Sequence, residues 1–370
     1  MMVIESVEVL KLDLPMKTSF ETSFGKLTTK STVLVKITSD GVTGYGEAAS
    51  FHAPLYNPET VDTCVYIIKK FIAPSILKKD FKSPEELRAA YDYIVGHNIA
   101  KAGVENAFWH LLAQSGNTSL KELFGGTRSS IQVGASIGIQ PTIKSTLTEV
   151  EDSLEKGYGR IKLKTKPGWD LKVLKEVRKI WPDIDLMVDG NSAYKLQRDL
   201  KTLIKFDEYN LMMIEQPLQE DDIIDHSTLQ KLINTPICLD ESITSVDKAR
   251  KAISIGACKI INIKPVRVGG ALETIAIHDL CMENGVGVWC GGMLETGIGR
   301  AFNIALASKE NFIYPSDMSP FDEFYSEDLV SDSHKVTSDG HVKVRTNPGL
   351  GYKINDKVIK EHTTESYLLE

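Results

Sequence analysis

Five charged residues recur at nearly constant intervals through the middle of this chain: Lys164, Asp189, Glu215, Asp240 and Lys264, spaced 25, 26, 25 and 24 residues apart. All five close short apolar runs that read as strands, over 160–164, 185–189, 212–215, 236–240 and 259–264;. Further strand-like runs cover 132–137 and 286–290, with a weaker one at Phe312-Ile313-Tyr314. Helical stripes lie between them. Leu171, Leu174, Val177 and Trp181 form one; Leu196, Leu200, Leu203 and Ile204 a second; Val246, Ala249, Ala252 and Ile253 a third, stopped by Gly256. Strands alternating with helices of this length demand a parallel sheet with crossover helices. Six or seven such units in a row, with the weaker last strand, predict a TIM-like barrel more readily than an open sheet. Each charge then occupies the same place in its unit, the carboxyl end of a strand, where barrels of this kind build their active sites.

Alternation along the strands gives direction. Helices cover the outside of such a barrel, so in Ile161-Lys162-Leu163-Lys164 the lysines must face the mouth;. The same count turns Met187, Asp189, Asn191, Glu215, Asp240, Asn262 and Lys264 inward. One Lys or Asp at a strand end is ordinarily a solvated loop residue, but five in register are not. Three carboxylates from adjacent strands are expected to converge on one point, where a hard divalent cation would hold them. Oxygen donors alone suit Mg²⁺ or Mn²⁺ better than Zn²⁺. Counted from the first barrel strand, the lysines fall on strands 2 and 6, opposite one another across an eight-stranded ring. A substrate carboxylate on the metal would hold its α-carbon between two amines, the arrangement for abstracting a proton beside a carboxylate. The metal and neighbouring cations should lower a lysine from about 10.4 towards about 7–8, the range useful for a base.

The flanks differ from the barrel. Residues 1–50 read as strands (7–10, 32–37 and 42–47), with a polar loop from Lys17 to Lys30 carrying Phe20 and Phe24. Residues 59–114 read as helices, one of them capped by Asn98 and closed near Gly116;. An α+β capping domain over 1–127 is expected, the barrel over 128–334, and a strand-like tail from Lys335 to Val358 returning to the capping domain within 335–370. With 42% hydrophobic and 25% charged residues the composition is ordinary and globular;. The 43 basic and 50 acidic residues leave a net charge of −7, which argues against a nucleic-acid or anionic-membrane partner;. No apolar run approaches a membrane span and the N-terminus does not read as a signal peptide;. Cys64, Cys238, Cys258, Cys281 and Cys290 are odd in number and scattered, as expected of reduced thiols in the cytoplasm;. His52, His97 and His110 have no partner at ligand spacing and are expected to be structural. Gly269-Gly270 before a helix fits either a tight turn or, less readily, a phosphate site;. Arg267 fits equally a second cation near Lys264 or a surface arginine.

The Lys-x-Lys strand, Asp189-Gly-Asn191, Glu215-Gln-Pro, Asp240-Glu241-Ser and Lys264-Pro resemble the enolase superfamily, muconate-lactonising subgroup. Within it, residues 19–25, 134–138, 264–270 and 291–299 resemble the o-succinylbenzoate synthase and N-acylamino acid racemase family. The resemblance spans the chain and implies a capping domain on a (β/α)₇β barrel. It implies Asp189, Glu215 and Asp240 as Mg²⁺ ligands and Lys164 and Lys264 as the acid–base pair. Lys162, Asn191 and Glu241 would orient or tune them. Ser136, Gly292, Met293 and Leu294 would touch the substrate, and the loop of Phe20 and Phe24 would close over it. The substrate would be a small carboxylate, dehydrated on the way to menaquinone or racemised, with no organic cofactor and in a homo-oligomer. Dipeptide epimerases and muconate-type cycloisomerases are the alternatives. The epimerases grip an ammonium with Asp-x-Asp where this chain has Met293-Leu294-Glu295. A non-catalytic scaffold would have no need of this constellation.

Overall fold

The computed structural model describes residues 2–22 and 25–370. The capping domain is built on an antiparallel sheet of β1 (Ser6–Thr22), β2 (Gly25–Ser39) and β3 (Val42–Ala48). The segment expected to be a polar loop is instead the upper part of the β1–β2 hairpin, where Phe20 pairs with Leu27 and Glu21 with Lys26. Its polar composition suits a ribbon that leaves the core of the sheet, and that is why it reads as loop. Helices α1 (Val61–Ile67) and α2 (Asn98–Ser115) cover the sheet. Asn98 is the first residue of α2 and not its cap. His97, with φ of 53°, holds that place, and the Asn98 side-chain amide donates to the carbonyls of Thr244 and Arg267 in the barrel.

Almost every residue from Ile99 to His110 is buried, because α2 is pressed between the capping sheet on one side and the barrel on the other. Glycine makes the approach possible: a Cβ on Gly46 of β3 would lie 2.2 Å from the carbonyl oxygen of Gly103 on α2;.

The barrel strands are β4 (Ala135–Ile137), β5 (Ile161–Lys164), β6 (Leu186–Asp189), β7 (Ile214–Glu215), β8 (Ile237–Leu239), β9 (Ile260–Ile263) and β10 (Gly287–Cys290), all parallel and in sequence order. The eighth position is an irregular segment. Ile313 donates to Val288 and Asp317 to Cys290 on one edge, while Ser316 donates to Gln132 on the other, closing the ring. The crossover helices start where local caps allow. Thr142, Asp170, Asp222 and Ser245 each accept a backbone N–H from the first turn that follows them;. Their stripes pack on the outside of the sheet with Ile161, Leu163, Val188, Ile261 and Ile263. Ile204, expected in that stripe, is 41% exposed at the helix end. Inside the ring, Met187, Met213, Cys238, Ile260 and Trp289 form the floor beneath the mouth.

The expected first barrel strand is broken at Gly134. Ser130–Gln132 pairs with His341–Lys343 of the tail, and only Ala135–Ile137 joins the barrel. The tail itself is not strand throughout: Asp356–His362 is helical, and β11 (Thr363–Leu369) then pairs with β1.

The imidazole of His110 is a structural element of the capping domain. Its Nδ1 accepts the N–H of Tyr45 at 2.9 Å and its Nε2 lies 2.8 Å from Gln114 Nε2. Burial pushes it down to about 3 from the ordinary 6.5. Between these values the unfolded chain binds a proton that the folded chain refuses, so the stability present at neutral pH is lost as pH falls through this window. The parent protein should therefore lose about 2 kcal/mol more stability between pH 7 and 5 than His110→Gln, read from urea unfolding. Equal acid losses would show that the ring titrates normally.

Candidate functional site

The register of the strands sets the site. Lys164, Asp189 and Glu215 are direct neighbours across β5, β6 and β7, and Ser136 and Lys162 pair one step lower across β4 and β5. A cavity opens above them. From the barrel it is lined by Ser136, Lys162, Lys164, Asn191, Lys264, Gly292, Met293 and Leu294, each of which the sequence had placed there. The capping domain adds Leu27, Phe51 and Tyr56, while Arg300, Asp317, Ser319 and Phe324 complete the wall. Phe24 lies outside the described residues. Phe20 is placed by its backbone alone, in the hairpin opposite Leu27, and Leu27 is the hairpin residue that lines the cavity.

Asp189, Glu215 and Asp240 form the buried floor of the mouth. They do not converge on a single point. Lys162 spans two of them, 3.1 Å from Glu215 Oε2 and 3.8 Å from Asp189 Oδ2, while Asp240 is held by Lys264 and Arg267. Among the described residues no three His, Cys, Asp or Glu side chains stand grouped as a metal cluster. The reason is electrostatic: each buried carboxylate draws in a buried cation before it draws near another carboxylate. The donor set still fits a hard cation. It consists of three carboxylates from adjacent strands, and Asp240 Oδ2, although 2.8 Å from Lys264 Nζ, lies outside hydrogen-bonding geometry and has no hydrogen-bond partner;.

The lysines are anchored differently. Lys164 Nζ donates to Asp189 Oδ2 at 2.5 Å and to Asn191 Oδ1 at 2.8 Å. Asn191 in turn donates to Glu241 Oε1 at 2.8 Å. Lys264 Nζ donates to the Tyr56 hydroxyl at 3.1 Å, and that hydroxyl donates to Asp240 Oδ1 at the same distance. Arg267 is buried and not a surface arginine. It pairs with Asp240 and donates to the carbonyls of Ile243 and Asn262.

Burial would push Lys264 down, but the Tyr56 hydroxyl, Glu241 and Glu215 outweigh it and hold the ammonium well above its ordinary range. The expected lowering is thus not a property of the protein groups alone, among which Tyr56 and then the carboxylates outweigh burial. Burial would likewise raise Asp189, yet Lys164 and Lys162 keep it below the usual carboxylate range. Glu215 goes up, through burial and repulsion from Asp189. Glu241 goes up for the same two reasons, and its Oε2 has no hydrogen-bond partner.

The wall residues Leu27, Phe51, Arg300, Ser319 and Phe324 are not among the sequence candidates, and neither are two polar residues close to the lysines. Asp317 accepts from Lys162 at 2.5 Å and from Arg160 at 2.8 Å, and those cations, after burial, draw it below its ordinary value. It stands at the end of the eighth barrel segment, the place already marked on the other strands, and following the register past Tyr314 would have found it. Tyr56 comes from the capping domain, and nothing in the local sequence signals it. Gly269-Gly270 is resolved as a turn: a Cβ on Gly270, at φ of 122°, would lie 2.5 Å from the carboxylate of Glu105, which caps the following helix through Leu272 N–H. A carboxylate in that place excludes phosphate. Gly291 lets Asn262 accept its N–H at 2.8 Å while donating to Glu215 Oε1 at 2.6 Å; a side chain there would strike Asn262.

Known proteins share this sequence and fold. Residues 4–125 match the Mandelate racemase / muconate lactonizing enzyme, N-terminal domain family, and residues 145–358 match the Enolase C-terminal domain-like family. The o-succinylbenzoate synthase of Geobacillus kaustophilus is 46% identical over 361 residues, 97% of this chain and 96% of that protein. The N-succinylamino acid racemase of Thermus thermophilus is 44% identical over 348 residues, 94% of each. A crystal structure of an enolase superfamily member from Listeria innocua superposes with a TM-score of 0.95 at 39% identity, covering 100% of this chain and 99% of that one.

Asp317 balances two buried cations, so Asp317→Asn should destabilise the protein by about 3–5 kcal/mol in urea unfolding. A loss below about 1 kcal/mol, the scale of an exposed pair, would show that Lys162 and Arg160 are compensated elsewhere.

Proposed function

Because this chain belongs to the enolase superfamily, in the family of the o-succinylbenzoate synthases and N-succinylamino acid racemases, we propose that it removes the proton beside a substrate carboxylate. The observation that carries the reading is the pair Lys164 and Lys264. They stand on β5 and just past β9, four strands apart in the ring, line one cavity, and are each anchored to a carboxylate of the same arc. The products would be o-succinylbenzoate, by dehydration in menaquinone synthesis, or the opposite enantiomer of an N-succinylamino acid. Both begin with the same proton transfer, in the cytoplasm.

Asp189, Glu215 and Asp240 would hold Mg²⁺ or Mn²⁺, which when bound supplies Lewis-acid stabilisation of charge on the substrate carboxylate. The chain's own residues do the rest. Asn191 and Asp189 fix the direction of the Lys164 amine, and Tyr56 and Asp240 that of Lys264. In racemisation one lysine takes the α-proton and the other returns one to the opposite face. In dehydration Lys164 serves as base, and the Lys264 ammonium lies beside the developing anion. Leu27, Phe51, Met293 and Leu294 give the remainder of the substrate an apolar wall and keep water from the reacting carbon;.

The site argues against the dipeptide epimerases. Glu295, where they carry Asp-x-Asp, is buried against Asn303 at 2.9 Å and near Arg300 at 3.6 Å, so its charge is not offered to a substrate ammonium.

The test is hydrogen exchange in D₂O with Mg²⁺ and both enantiomers of an N-succinylamino acid. Lys164→Ala should stop α-hydrogen exchange for one enantiomer and Lys264→Ala for the other, and each variant should lose racemisation completely. Asp189→Asn, or chelation of the parent, should abolish exchange for both while leaving the fold intact. If either lysine variant exchanges both enantiomers at the parent rate, the opposed-lysine mechanism is wrong.

A further inference from the structure

Behind the apolar wall of the cavity lies a buried lysine that none of these steps uses. Lys30, on β2, is 1% exposed. Its Nζ donates to the carbonyl of Ser50 at 3.0 Å and to that of Met293 at 3.1 Å, and stands 4.9 Å from the centre of the Phe51 ring. It therefore joins three separate parts of the wall: the hairpin that bears Leu27, the loop after β3 that bears Phe51, and the barrel loop after β10. Burial opposes its charge, and the carboxylates of Glu47 and Glu295 support it.

The next carbonyl of the barrel loop is held as well. The hydroxyl of buried Tyr325 donates to Leu294 O at 2.8 Å, and Tyr325 itself bridges to Met16 at the base of the hairpin. Between these two anchors Leu294 has φ of 55°, a left-handed conformation that a bulky side chain adopts only when its surroundings impose it. Two consecutive carbonyls are thus pinned by donors from outside the barrel loop, at the two residues whose side chains face the cavity.

We infer that Lys30 and Tyr325 are positioning residues that fix the substrate-selective wall, holding Met293 against Leu27 and Phe51 and Leu294 in its left-handed conformation beside it. Neither touches the reacting carbon. They act on the part of the substrate remote from it, and they make the shape of the pocket depend on the docking of the capping hairpin. The inference rests on the proposed proton abstraction and names what selects the substrate for it.

The experiment compares the parent with Lys30→Met, Lys30→Arg and Tyr325→Phe, in Mg²⁺, on N-succinylamino acids of small and large side chain. Lys30→Met and Tyr325→Phe should each raise KM about tenfold, the scale of one hydrogen bond to a charged or well-placed donor, with kcat within about threefold of the parent. The KM ratio between large and small side chains should shift. The ratio of D₂O exchange rates for the two enantiomers, which reports the catalytic lysines, should not. Lys30→Arg, which keeps the charge and donors, should recover most of the parental KM. A purely structural role would lower the melting temperature and leave KM and side-chain preference as in the parent, and that result from folded Lys30→Met overturns the inference. Should Lys30→Met not fold, Tyr325→Phe decides by the same criterion. A parent that exchanges no α-hydrogen with any of these substrates overturns the racemase branch of the functional reading and the inference with it, a failure distinct from parental KM in the variants.

Discussion

Buried charges at the carboxyl ends of the barrel strands must be neutralised in place, and this requirement organises the molecule. Arg160, Lys162, Lys164, Lys264 and Arg267 lie among Asp189, Glu215, Asp240 and Glu241, all withdrawn from water, and the half-buried Asp317. Any one of them buried without a partner would cost several kcal/mol, so each holds its neighbours in position. Lys162 is the hub, touching Glu215 and Asp317 and lying over the ring of Trp289 in the barrel floor. The result is a set of reactive groups already oriented before a ligand arrives, which lowers the reorganisation needed during reaction.

The two halves of the molecule contribute different things. The barrel provides charge, carried on strand ends whose spacing is fixed by hydrogen-bonded register. The capping domain provides shape and dryness: Leu27, Phe51 and Tyr56 meet Met293 and Val266 in one apolar cluster. The halves are fastened by polar contacts. Arg88 donates to the carbonyl of Gly269 and pairs with Glu105, and Glu47 accepts the N–H groups of Thr296 and Gly299. Backbone strain gathers where they meet the site, at Asn191, Gln216 and Leu294, all with positive φ;.

What could be read from the sequence was what obeys a local period. A strand and its returning helix have nearly constant length, so Lys164, Asp189, Glu215, Asp240 and Lys264 announced the barrel and the side of it that matters. Asp317 obeyed the same rule but followed a strand too irregular to recognise. Tyr56 and Lys30 obey no period. They reach the site through tertiary docking across more than one domain, and a lysine in a strand reads as surface until its partners are known. The hairpin from Lys17 to Lys30 reads as a loop because its polar ribbon leaves the core of the sheet and is met by the barrel instead, where the Glu21 carbonyl accepts the N–H of Ile139. Asn98 has the right chemistry for a cap, but its amide is engaged by two barrel carbonyls instead.

The pairing of β11 with β1 brings together Glu8 and Ser366, which are 358 positions apart in sequence. On a ribosome, β1 is made long before its outer partner. Until that partner follows, this edge of the capping sheet has no strand to pair with, and an unpaired edge is a template for other chains. The barrel, by contrast, is assembled from neighbours that emerge one after another. Nascent chains should therefore carry a formed barrel while the capping sheet still has an open side, and β11 closes that side against aggregation when it emerges.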